Sequence, residues 1–149
     1  MSPLPATVAL SLALASGVAA HEAIGAAALE SQAPPSVKVV DGNVIITFAS
    51  PRTRVQTFAL QAPEGANFRL SRIDKDRSLD LEVWHLDEGM GTYTLHYLFL
   101  YSAQARQFVP LAPKCGSAFI NLHIARPGTL RYSTYDVSKH SWRRCTDGV

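Results

Sequence analysis

Apolar and polar positions alternate with a period of two along most of the chain beyond residue 35, and turn residues interrupt the alternation about every eight to twelve positions. In residues 36–48 two β-branched runs flank Asp41-Gly42, a pair that can supply both left-handed conformations of a tight hairpin turn. Residues 54–61 alternate again. The densest pattern, residues 68–110, predicts four consecutive strands at about 68–73, 79–86, 92–101 and 106–111. Pro110 and Pro113 then break the pattern. Further strands are expected over 117–125, 130–135 and 141–144, the first two joined by Arg126-Pro127-Gly128-Thr129, where Pro then Gly suits a type II turn. With no helical period, these elements describe an all-β domain over 36–149. It has about nine short antiparallel strands, arranged as a meander, a sandwich or a propeller-like unit.

The two middle strands can be read face by face. One face of 92–101 carries Tyr93, Leu95, Tyr97, Phe99 and Tyr101, and this aromatic face should be core. The other face of the hairpin is mixed: Asp80, Glu82, Trp84, Thr94 and His96. A hairpin turning about Gly89, with Gly89 and Gly91 free to take positive φ, places Glu82 nearly opposite His96.

Residues 6–20 form an uncharged apolar run that ends in Val18-Ala19-Ala20, a small-x-small pattern before His21. Residues 1–20 therefore read as a secretory leader, although no Lys or Arg precedes the apolar run. The run is short for a membrane span and lacks flanking charges. Residues 21–35, rich in Ala and ending in Pro34-Pro35, read as a flexible lead-in. Export places the domain in the periplasm or outside the cell, where Cys115 and Cys145, the only cysteines, should pair. The bridge closes a loop of about 31 residues and is worth about 3–4 kcal/mol on the chain-entropy view. A net charge of +2 with scattered basic residues gives no footprint for nucleic acid. Arg143-Arg144 is the one adjacent basic pair and reads as a solvated strand end.

Four features bear on chemistry. Asp74, Asp76, Ser78 and Asp80 recur at alternate positions of one turn, a spacing of oxygen ligands that can wrap Ca²⁺ and that also suits a solvated acidic turn. The five histidines form no tight cluster, and His85 and His96 fall on opposite faces, which argues against Zn²⁺. Glu82 with His96 has the composition of a general acid–base pair, and equally that of a cross-strand pair. No G-x-S-x-G frame surrounds Ser117. Trp84, sharing a face with Asp80, Glu82 and His96, has the character of a partner-binding anchor, with Asp87 and Glu88 in the adjoining turn.

The run IDKDRSLDLEVW, followed by YTLHYLFLYSAQARQFVPL, resembles the Asp-rich β repeat of FG-GAP/VCBS-type proteins. It is similar in particular to small exported bacterial proteins that inhibit lysozyme-like peptidoglycan hydrolases and serve as immunity proteins. Asp74, Asp76 and Asp80 match the acidic positions, and Leu81 matches the apolar residue after the last Asp. The turn is about two residues shorter than the repeat's and lacks its Asp-Gly. The resemblance implies a non-enzymatic protein whose partner is a peptidoglycan hydrolase, blocked by steric occlusion. The competing expectations are a structural or Ca²⁺-binding envelope module and a small hydrolase using Glu82 and His96.

Overall fold

The computed structural model describes residues 34–49, 52–60, 62–87, 89 and 92–149. The expected leader, most of the lead-in and Glu88 lie outside the described residues. Ten strands follow: β1 (Ser36–Val40), β2 (Asn43–Phe48), β3 (Arg54–Ala59), β4 (Asn67–Ser71), β5 (Asp80–Asp87), β6 (Tyr93–Ser102), β7 (Gln107–Leu111), β8 (Phe119–Arg126), β9 (Thr129–Asp136) and β10 (Ser141–Gly148). Every pairing is antiparallel. β1, β2 and β3 form a small sheet in chain order. The remaining seven form a large open sheet in the order β10-β9-β8-β6-β5-β4, with β7 also paired to β6.

β6 is the hub. β5 runs along one of its edges. The other edge is shared by β7, opposite Leu98–Ser102, and β8, opposite Leu95 and His96. Both faces of β6 are therefore put to use. Phe99, with Leu81, Val83 and Phe108, packs against Val37, Val44 and Ile46 of the small sheet. Leu98, on the opposite face, packs with Phe119, Leu130, Tyr132, Cys145 and Ile73. The aromatic face is core at Phe99, with Tyr97 and Tyr101 packed against it, and is open at its Tyr93 end. The mixed face, however, is no open surface, because at its inner end it is the floor of this second core. Asp80 and Glu82 are buried there, with 0% and 1% of their surface exposed.

Turn chemistry explains most boundaries. Asp41 and Gly42 take φ of 49° and 75°, the double left-handed turn that the Asp-Gly pair favours. Gly128 takes φ of 82° after Pro127, as a type II turn requires. Three expectations are corrected. The fourth strand stops at Ser71, and Ile73 beyond it is buried in the turn instead of extending the ladder. The last strand continues from Ser141 to Gly148, because Cys145 and Asp147 are drawn inward to the second core. The central hairpin pairs Asp87 with Tyr93, so it is not centred on Gly89, whose backbone N–H donates to Asp87 Oδ1 at 2.9 Å.

Candidate functional site

The register places Trp84 opposite His96 and Glu82 opposite Leu98, so Glu82 and His96 are diagonal and not directly paired. They still meet. Arg69, directly across from Glu82 on β4, donates Nε–H to Glu82 Oε2 at 2.6 Å. His96 Nδ1 lies 2.8 Å from Glu82 Oε1 and donates to it, since an ionised carboxylate can only accept. Burial pushes the Glu82 carboxyl up, but the bonds from His96 and Arg69 outweigh it and hold the group below its ordinary range. Trp84 closes the cluster, with its indole stacked on the His96 ring at 6.3 Å and beneath the Arg69 guanidinium at 5.6 Å. Neither oxygen of Glu82 is left for a substrate. The geometry makes Glu82 and His96 an internal hydrogen-bonded pair, and Trp84 half-buried, not the freely exposed anchor its neighbours suggested.

The network continues outward. His96 Nε2 is 2.9 Å from Thr94 Oγ1, and that hydroxyl is 3.2 Å from Asn121 Oδ1. Thr94 N–H also donates to Asn121 Oδ1, at 2.9 Å. Asn121 holds φ of 50° at a register shift between Ile120 and His123, where β8 has one residue more than β9. Its carboxamide oxygen thus stands in for a ladder acceptor. Its NH₂ end has no protein partner among the described residues.

The acidic turn is arranged around backbone groups. Asp80 Oδ2 accepts from the N–H of Ile73 at 2.9 Å and of Asp74 at 3.3 Å, while Oδ1 accepts from Tyr101 at 2.9 Å. Burial pushes the Asp80 carboxyl up, against the pull of those three amides. Asp74 Oδ1 and Asp76 Oδ1 each accept from the amide two residues ahead, those of Asp76 and Ser78. Burial, with repulsion from Asp80 and Asp76, leaves the Asp74 carboxyl raised. Among the described residues no group of three or more His, Cys, Asp or Glu is placed to hold a metal ion.

Cys115 and Cys145 form a disulfide, with Cα atoms 6.0 Å apart. Around it, Tyr132 Oη donates to Asp147 Oδ2 at 2.6 Å and accepts from the N–H of Cys115 at 3.0 Å; the N–H of Lys114 donates to the same Asp147 oxygen at 2.9 Å. Burial and the Asp147 bond push the Tyr132 hydroxyl up to about 12. This cluster seals the loop between β7 and β8 onto β10.

A different surface is open. On the face of the large sheet that packs against the small sheet elsewhere, the register aligns Leu95, Ile120, Ser133 and Arg144 in one row across β6, β8, β9 and β10. Beside that row lies a cleft of about 390 Å³ lined by Thr92, Tyr93, Asn121, Ser133, Trp142, Arg143 and Arg144. Trp142 is 54% exposed and is held edge-to-face by Tyr93 at 5.9 Å and Tyr135 at 5.5 Å. Tyr93 is itself fixed by its hydroxyl, which donates to Asp87 Oδ2 at 3.1 Å. Arg143 and Arg144 are exposed, and among the described residues neither has a carboxylate in ion-pair range. Of the residues expected to bind a partner, Asp87 supports this surface, and Glu88 lies outside the described residues. Trp84, Glu82 and His96 face the other way. Trp142 and Asn121 escaped the sequence reading. The signals were an Asn inside an otherwise β-favouring strand, which suits a bulge, and a Trp beside the basic pair on a terminal strand.

No protein-family model matches the chain, and neither does any curated protein or solved structure compared with it.

Proposed function

We propose that this chain is an exported, non-enzymatic binding protein that inhibits a peptidoglycan hydrolase by covering its cleft. The contact centres on Trp142 and Arg144. The observation that carries the reading is the exposed Trp142, braced by two tyrosines and sharing its face with Arg144, which has no carboxylate partner among the described residues. Trp, Tyr and Arg are the residues that dominate binding energy at protein interfaces, and a braced indole loses little entropy on contact. Glycan-cleaving enzymes carry paired carboxylates in their clefts, so an exposed guanidinium is the complementary charge. The disulfide and the absence, among the described residues, of any helix long and apolar enough to cross a membrane are compatible with export. The saturated Glu82–His96 pair favours binding over turnover.

The test is cell-wall lysis followed by turbidity, with the purified oxidised chain added to several lysozyme-type and amidase-type hydrolases. Dose-dependent protection from one class, lost in Trp142→Ala and kept in Trp84→Phe, is the expected result. Inert behaviour across the panel overturns the reading. Lysis by the chain alone would make it an enzyme.

A further inference from the structure

We propose that the cleft between β6, β8 and β10 is also a saccharide site that takes a sugar ring bearing a carboxylate. The proposal goes beyond the hydrolase reading and does not depend on it.

A pyranose has an apolar C–H face and a rim of hydroxyls. A site for it needs an aromatic surface on one side and short hydrogen-bonding groups on the other. The cleft supplies both kinds of group: Trp142 and Tyr93 are its aromatic lining, and Thr92, Asn121 and Ser133 its short polar lining. At about 390 Å³ it falls within the range of small-molecule sites, roughly 300–1,000 Å³. Asn121 is oriented for the task. Its oxygen is tied down by Thr94 N–H, which can bond only to an acceptor, so the NH₂ end is the free end. The left-handed backbone at Asn121 stores strain at the cleft, as binding sites often do. Arg144 stands at the end of the row that includes Ser133, and its planar guanidinium matches a carboxylate in two-point geometry. Arg143, paired with Thr134, points to the opposite face, so Arg144 is the guanidinium that the cleft face presents. A neutral sugar would leave it unanswered.

The experiment follows the two indole N–H resonances of the intact oxidised chain by NMR, assigned with Trp142→Phe. Trp84 lies on the opposite face and is the internal control. The probes are a soluble N-acetylmuramic acid-containing fragment, an oligogalacturonate, neutral chitotriose and inorganic phosphate. The expected result is a saturable shift of the Trp142 signal with an acidic sugar, no movement of Trp84, and binding about tenfold weaker in Arg144→Gln. A response to the muramic fragment alone identifies cell wall as the source, and a response to both acidic sugars identifies the carboxylated ring itself. No shift with either acidic sugar overturns the proposal, as does an equal response to chitotriose or to phosphate. Protection of cells from a hydrolase is scored separately, so the two readings fail independently.

Discussion

Trp84 and Trp142 each sit beside arginine on the same sheet, and the resemblance ends at the charge balance. Around Trp84 the positive charge is answered: Arg69 bonds Glu82, which is buried beneath it and also bonded by the His96 ring. Around Trp142 it is not, because Arg144, on the same face, meets no carboxylate among the described residues. A buried pair whose partners are satisfied is part of the fold; removing one member strands the others in a low dielectric. An exposed indole with unanswered charge costs the fold little and leaves its interaction free energy for another molecule. The same residue types therefore signal opposite roles, and the deciding quantity is where the carboxylate lies.

Breaking the first cluster should produce the largest effect. Glu82→Ala should lower stability by about 3 kcal/mol, the lower end for an interrupted buried pair because Arg69 is half exposed; denaturant unfolding checks it. Next come the two tryptophans, which should exchange roles. Trp142→Ala should weaken partner binding by about 2 kcal/mol and change stability by less than about 1 kcal/mol. Trp84→Ala should cost stability by about 2 kcal/mol and leave binding intact. A variant set in which both substitutions hurt the same property would erase the distinction. Tyr132→Phe, which removes two hydrogen bonds at the disulfide loop, should cost about 1–2 kcal/mol in unfolding measurements.

Acid should act on the Glu82 cluster and leave the Trp142 surface in place. The Glu82 carboxyl is depressed in the folded state, so its contribution is fully present above the ordinary value of 4.5 and is lost as pH falls through the lower folded value. Melting temperature should hold from neutral pH to about 5 and decline below it, with a shallower decline in Glu82→Gln. The smallest effect belongs to Arg144→Gln. It should reduce partner association by about tenfold at low salt, with a difference that fades at high ionic strength. A salt-independent loss would mean that Arg144 acts by shape and not by charge.

Period-two alternation made the strands legible, because each face of a strand declares its side chains. The Asp-Gly and Pro-Gly turns were legible for a similar reason, as few residues accept their backbone angles. What alternation cannot show is whether a mixed face is wet. Asp80 and Glu82 look like surface residues in the sequence. They are buried because Ile73, Phe119 and Leu130, from three distant segments, close over that face of β6. The register of the central hairpin was off by two residues, because its turn was centred on Gly89 without knowledge of the Asp87–Tyr93 pairing. The cleft was harder still. Its lining comes from Thr92 to Arg144, and only the order β10-β9-β8-β6 makes those segments neighbours. The basic pair was visible; its unpaired state was not.

The disulfide has a consequence in time. Cys145 follows Arg144 directly and lies three positions beyond Trp142, on the last of the ten strands in chain order. β10 pairs only with β9, at the rim of the sheet, and the bridge to Cys115 is its covalent tether to the rest of the fold. The chain can therefore fold its hub around β6 before the cleft has a wall. In a reducing compartment that wall is held by noncovalent pairing alone, and only oxidation locks it in place. If the chain is exported and binds through this cleft as proposed, binding competence would be completed only where the bridge can form.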